Sequence, residues 1–247
     1  MSKNEIKKTL IISGTIIIVA LIVVLALKNP FSGNTITVSG SATIDAMPNL
    51  VGIYFNIQTS GETTEEASNK NSEIIEEMTD SLLALGIKKE NIITQNYNVY
   101  PEYDWINGNR IEKGYQATHS IKIELSTEKS EKIGQIIDAG TSAGAGISYI
   151  NFELTTELQN SYKAQAMQYA AEDAREKANA IAEGLDKKLG KLVSVSTSDF
   201  GYSPWSIYEA RGIALDQEAS EAKVATTNIQ PGEQEIYAQI TTVFKLK

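Results

Sequence analysis

The sequence predicts an α+β fold: a mainly antiparallel sheet with helices packed on a face, preceded by one N-terminal transmembrane helix. Three observations carry this. Apolar residues alternate with polar ones in strand-length runs that follow one another across short turns, which favours antiparallel pairing. Helix-period stripes fill the stretches between those runs. Finally, Leu10–Leu27, LIISGTIIIVALIVVLAL, holds 18 residues without a charge. As a helix that run is about 27 Å long at ~1.5 Å per residue, close to a hydrocarbon core of ~30 Å.

Residues 1–9 form a basic N-terminus, with Lys3, Lys7 and Lys8 against Glu5, and Lys28 follows the apolar run. The positive-inside rule then keeps the N-terminus cytoplasmic, makes residues 10–27 a single-pass anchor and places the rest, periplasmic or extracellular, outside the cell membrane. Residues 28–34 are a short tether and 35–247 the extracytoplasmic domain. The alternative is secretion after signal cleavage, but a signal peptide has a shorter apolar region of ~7–15 residues and a small-x-small site. Val24–Lys28 offers no such site.

Within the domain, Thr35–Asp45 alternates as a first strand. Met47-Pro48-Asn49 turns the chain into a second, carried by Val51, Ile53, Phe55 and Ile57. Thr63-x-x-Glu66 is a capping box opening a helix whose stripe is Ala67, Ile74, Ile75, Met78, Leu82 and Leu85, stopped at Gly86. A strand near Gln95–Tyr100 and a long one from Ile111 to Leu125 flank Asn107-Gly108, the strongest short hairpin signal in the chain. Ser126 or Thr127 caps a helix through Ile133, Ile136 and Ile137, and Gly140–Gly146 connects it to a strand over Ile147–Leu154. A long Ala-rich helix spans Gln159–Leu185 and a strand Lys191–Thr197. Residues 199–234 read as a long surface loop with a short helix near Asp216–Lys223. Ile236, Ala238, Ile240, Thr242, Phe244 and Leu246 alternate in a closing strand.

Composition narrows the chemistry. The chain carries 22 basic and 31 acidic residues, and residues 29–247 alone carry 18 and 30, a net −12. With no basic stripe, that body disfavours nucleic acid. There are no cysteines, so thiolate nucleophiles, disulfides and thiolate zinc sites are absent, and one histidine excludes a two-imidazole motif. Glu65, Glu66, Glu73, Glu76, Glu77 and Asp80 read as a solvated helix face rather than metal ligands. The Gly140–Gly146 stretch lacks the Lys-Ser/Thr of a phosphate loop. No catalytic, cofactor or metal residue is assigned.

Aromatic residues mark the candidate contact surface. Tyr100, Tyr103, Trp105 and Tyr115 cluster about the hairpin. Phe200, Tyr202, Trp205 and Tyr208 open the expected loop, where they clamp it to the body, meet a partner subunit or bind a ligand. Glu102 and Asp104, beside aromatic rings, are the acids of an alternative reading as a glycan hydrolase. His119 shares a strand face with Tyr115, Ala117, Ile121, Ile123 and Leu125, which suits a half-buried sheet residue better than a triad member, and no GxSxG elbow supplies a nucleophile.

A set of short motifs, in order, resembles the SIMPL-domain family of unknown function, which includes periplasmic proteins linked to oxidative-stress defence. The motifs are Val38-Ser39-Gly40 with Pro48, the helix start at Thr64–Asn71, Leu85-Gly86-Ile87, Ile92-Ile93-Thr94, Tyr100-Pro101-x-Tyr103 with Gly114-Tyr115, Ile137-Asp138-Ala139-Gly140, Asp173-Ala174-Arg175-x-Lys177-Ala178, Gly190-Lys191 and Pro231-Gly232-Glu233. They cover Thr35–Ser198 and resume at Pro231–Leu246. Asn49 departs from the Asp that often follows the proline, and 199–234 has no clear counterpart. The resemblance implies an α+β envelope domain that self-associates and has no transferable catalytic residues. The expected function is therefore a non-catalytic, membrane-anchored envelope protein. It acts by homo-oligomerisation or by binding an envelope protein, in envelope or oxidative-stress protection. A hydrolase or a small-ligand or peptide-binding module is the alternative.

Overall fold

The computed structural model describes residues 34–106, 108–211, 215–226 and 231–247. The expected anchor lies outside the described residues, and no helix among those described is long and apolar enough to cross a membrane. The chain order is β1 (Thr35–Ala46), β2 (Leu50–Gly61), α1 (Thr64–Ala84), β3 (Ile92–Ile106), β4 (Asn109–Ser126), α2 (Ile133–Ser142), β5 (Gly146–Glu153), α3 (Thr156–Gly184), β6 (Leu189–Gly201), β7 (Trp205–Glu209), α4 (Leu215–Thr226) and β8 (Gln234–Leu246). This is the α+β architecture the sequence predicts, but the strands form two sheets, β3-β4-β2-β5-β7 and β1-β8-β6. The described residues fall into two compact units, one of residues 34–42, 167–199 and 239–247, the other of residues within 43–166 and 200–238.

In the larger unit β2 runs antiparallel to β4 on one side and to β5 on the other. Its period-two apolar set, Val51, Ile53, Phe55 and Ile57, is fully buried. Ile121, Ile123 and Leu125 of β4 and Ile147, Ile150 and Phe152 of β5 join the same core. The helices close it: Met78 and Leu82 come from α1, Ile133, Ile136 and Ile137 from α2, and Ala219 and Ala222 from α4. Thr63 caps α1 as expected, accepting from the Glu66 amide at 3.2 Å, while the Glu66 carboxylate reaches one residue further back and accepts from the Glu62 amide at 2.9 Å. Ser126 instead accepts from the Glu128 amide and opens a 3₁₀ turn, Thr127–Lys132, before α2 begins.

In the smaller unit β8 is central and both neighbours run antiparallel to it. Leu246 N–H donates to Asn34 O at 2.7 Å while Thr242 Oγ1 donates to Val38 O at 3.2 Å, so β1 ascends as β8 descends. Lys188 and Lys247 exchange backbone bonds of 3.0 and 2.8 Å, the mutual pair of an antiparallel ladder. The Ala-rich stripe of α3 explains itself here: Ala170, Ala174 and Ala178 are fully buried. A Cβ on Gly40 would lie 2.1 Å from Ala170 O and 2.6 Å from Ala174 Cβ, so helix and strand touch backbone to backbone. Asp173 adds a tether, accepting from the Ser41 amide at 2.8 Å and from Lys177 at 2.6 Å; those partners hold its carboxyl below the usual aspartate range.

Residues 199–234 are not the long loop that the sequence suggests. β6 continues to Gly201 and β7 adds to the edge of the five-stranded sheet through β5, while the short helix expected near Asp216–Lys223 forms as α4, Leu215–Thr226. The local signal is faint because β7 buries only Tyr208 and α4 buries Glu218, Ala219 and Ala222. Alanines give little hydrophobic periodicity, and a five-residue strand owes its existence to its partner.

The Gly40 contact yields a test. In the chain lacking residues 1–28, Gly40→Ala should cost about 2 kcal/mol by overpacking, read as a lower urea midpoint at unchanged slope. An unchanged midpoint would contradict the close helix–strand approach.

Candidate functional site

β2 ends at Gly61, opposite Tyr115, so the outer parts of β3 and β4 have only each other. Glu102–Ile106 and Asn109–Gly114 form a two-stranded ribbon about 17 Å long at ~3.3 Å per residue. Ile106 faces Asn109 in register, leaving a two-residue turn whose Gly108 has φ +81°. That conformation is open to glycine and supports the Asn-Gly prediction. A bulge at Lys113 of β4 shifts the register between Glu102 and Tyr103. Pro101 sits on β3, the outermost strand, where a missing N–H costs the sheet nothing.

The ribbon carries the first aromatic group. Trp105 is 72% exposed and Ile111 47%. Arg110 covers the Tyr103 ring at 4.0 Å, Tyr100 bonds through its hydroxyl to Gln116, and Tyr115 is half-buried. Of the four, Trp105 is the ring most available to a partner. The second group does not join them. Tyr202 accepts from the Leu154 amide at 2.7 Å, Trp205 rests on Phe152 at 5.6 Å, and Lys163 lies over the Phe200 ring at 4.8 Å. Tyr208, proposed for the contact surface, is instead part of the core and 8% exposed, because β5 pairing turns it under α4. These contacts are those of the clamp reading.

Glu102 forms a salt bridge with Lys113 at 2.9 Å and accepts from Ser60 at 3.4 Å. Glu102 and, at longer range, Asp104 hold the Lys113 ammonium above the ordinary lysine range.

His119 lies on the helix-facing side of β4, where Tyr97 packs edge-on at 5.2 Å. Asn71 of α1, almost wholly buried, donates through Nδ2 to Ile57 O at 3.4 Å, so its Oδ1 accepts from His119 Nδ1 at 3.1 Å. Nε2 then accepts from the Thr94 hydroxyl at 3.0 Å. Both ring nitrogens are engaged by neutral groups, and burial pulls the imidazole below its ordinary pKa. It is a neutral structural bridge between α1, β3 and β4.

The opposite face holds a cluster that the sequence reading missed. Lys122 contacts Glu153 at 2.7 Å and Glu124 at 2.9 Å, with the Lys122 and Glu153 side chains only 12% and 10% exposed. Tyr54 donates to the same Glu153 at 2.7 Å and stacks on Tyr149 at 4.1 Å. The group borders a polar cavity of about 410 Å³ that also touches Leu50, Thr155 and Tyr202. Burial and the Glu153 carboxylate push the Tyr54 hydroxyl well above its usual range. Burial alone would lower Lys122, but its bonds to Glu124 and Glu153 outweigh that and hold it above the lysine range. Both shifts favour the protonated forms, and the cluster clamps β2, β4 and β5 together. Period two does place these residues on the outward face, but only register makes Tyr54 the neighbour of both Lys122 and Tyr149. Among the described residues no three His, Asp or Glu side chains converge as a metal ligand set.

The clamp predicts that Lys122→Met, which strands a buried Glu153, costs about 3 kcal/mol in urea unfolding, whereas Lys122→Met with Glu153→Leu costs less. A double variant no more stable than the single would contradict it. His119 supplies a pH test. A depressed imidazole pKa means the unfolded chain binds the proton first, so stability is lost as pH falls below ~6.5 toward the folded value. The drop in urea midpoint between pH 7.5 and 5 should be smaller in His119→Gln; equal drops would show that His119 is not responsible.

Comparison with known proteins places this geometry in a family. Residues 36–244 match the profile of SIMPL, described as a protein of unknown function (DUF541). The chain is 26% identical over 172 residues to the uncharacterized protein YggE of Escherichia coli (strain K12), covering 70% of this chain and 69% of that protein. It is 24% identical over 196 residues to the uncharacterized protein YggE of Edwardsiella ictaluri (strain 93-146), covering 79% and 80%. With the match running through both sheets, the chain belongs to the SIMPL family.

Proposed function

We propose that this protein is a non-catalytic, membrane-anchored component of the cell envelope that works by self-assembly or by binding a protein partner, in envelope or oxidative-stress protection. The observation that carries the binding role is the ribbon beyond β2, whose Trp105, opposite Arg110 in register, is 72% exposed. A large ring left in water on a two-stranded arm adds nothing to the core, and tryptophan is the side chain most enriched at interface centres. The uncharged run at Leu10–Leu27, with lysines ahead of it, supports the anchor and its orientation.

The cysteine-free chain allows a direct test of both halves. A cysteine replacing Asn34 should react with a membrane-impermeant maleimide on intact spheroplasts, and one replacing Ser2 should not. The detergent-purified full chain should scatter light with a mass above the 26.9 kDa protomer or carry a stoichiometric partner, and Trp105→Ala should reduce that mass. The reverse labelling, or a strict monomer without a partner, would overturn the proposal.

A further inference from the structure

We infer that the groove between β7 and α4 binds an extended peptide segment, which adds as a sixth strand to the five-stranded sheet. The inference rests on the reading of the chain as a binding protein but uses a different surface from the ribbon. β7 is the terminal strand of its sheet, bonded to β5 alone. Ala210 N–H donates toward β5, to Ser148 O at 2.8 Å. Antiparallel alternation then turns the Glu209 N–H and C=O away from β5, to the side where β7 has no neighbouring strand among those described. An unpaired row of this kind is the template for strand addition.

Along that edge lies a cavity of about 560 Å³, walled by Ile207–Arg211 on one side and by Ser220, Glu221, Val224 and Ala225 on the other. The second set, at spacings of one, three and four, is a single face of α4. Val224 is 73% exposed, an apolar side chain on the rim with nothing against it among the described residues. The floor supplies the independent mark of a ligand site. Tyr208 lines the cavity, is 8% exposed, and its buried hydroxyl has no hydrogen-bond partner among the described residues. A buried donor without an acceptor costs ~1–3 kcal/mol, and that cost stands unrelieved beside the cavity.

The occupant follows from this chemistry. Only another backbone matches outward N–H and C=O groups at strand spacing, and β7 is long enough for about five residues. One apolar side chain of the segment would sit against Ile207, Val224 and Ala225. Glu209 and Glu221 against Arg211 leave the walls one charge negative, which favours a basic residue in the segment over a second copy bringing the same charge.

The probe is a random heptapeptide display library panned on the detergent-solubilised full chain. Selected peptides should share alternating apolar positions with a basic residue, and binding should slow hydrogen exchange at the Glu209 amide. Val224→Arg, at an exposed position, should weaken a selected synthetic peptide at least about tenfold. Glu209→Pro, which removes the outward N–H, should do the same, whereas Glu209→Ala, which keeps it, should retain most of the affinity. Enrichment of no peptide, or equal binding by Val224→Arg and Glu209→Pro, would overturn the inference. So would a fall in particle mass of Val224→Arg without peptide, because a second copy would then cover the groove. Trp105→Ala should leave peptide binding unchanged, so failure of the ribbon proposal and failure of this one are read separately.

Discussion

The antiparallel ladder of β2 between β4 and β5 is the constraint on which the larger unit depends. Leu50–Gly61 is in register with Ser126–Tyr115, and Leu50–Asn56 with Glu153–Gly146. Because side chains alternate with a period of two, that register decides both faces at once. It puts Val51, Ile53, Phe55 and Ile57 beneath the helices and, on the other side, Tyr54 against Lys122 and Tyr149. A slip of one residue would exchange the core with an ion cluster. The length of β2 matters as well: it stops at Gly61, and the β3–β4 hairpin continues past it as a free ribbon.

The half-buried charged groups of this unit are held by close partners. Lys122 sits between two carboxylates, one nearly buried, and Tyr54 gives its hydrogen bond to the same Glu153. Such a network is costly to desolvate and is tolerated because every charged atom has a close partner. His119 is handled in the opposite way, kept neutral between an amide and a hydroxyl. In the smaller unit Gly40 and the alanines of α3 achieve by small size what the larger unit achieves with Ile and Phe, a helix lying flat on a sheet. Several family motifs thereby gain a physical reason. Gly40 admits the helix, Asp173 with Lys177 tethers it to Ser41, and Gly140 leaves room for the Phe55 ring.

Much of this was legible in advance where a signal is local. The helix cap at Thr63, the Asn-Gly turn, the edge position of Pro101 and the Ala-rich helix all follow from short-range chemistry, and each stands where the sequence puts it. The short helix near Asp216–Lys223 stands within α4, but β7 was missed because its one buried side chain is a tyrosine, too little to show a period. Tyr208 was misplaced for the same reason: without β5 as a partner, nothing in residues 199–211 says which way a side chain faces. Glu153 and Lys122 read as ordinary polar positions of two strands, 31 residues apart.

The sequence by itself determined most of the elements, the acidic body, the absence of thiol chemistry and the family, because composition, periodicity and turn residues act over a few residues. The tertiary structure alone decided that there are two sheets, that an ion clamp crosses three strands, that one tryptophan stands on an unsupported ribbon, and that a groove runs beside the β7 edge. Each of these depends on which strands become neighbours and in what register. That choice is made by burying the joint apolar faces of segments far apart in the chain, and no local pattern encodes it.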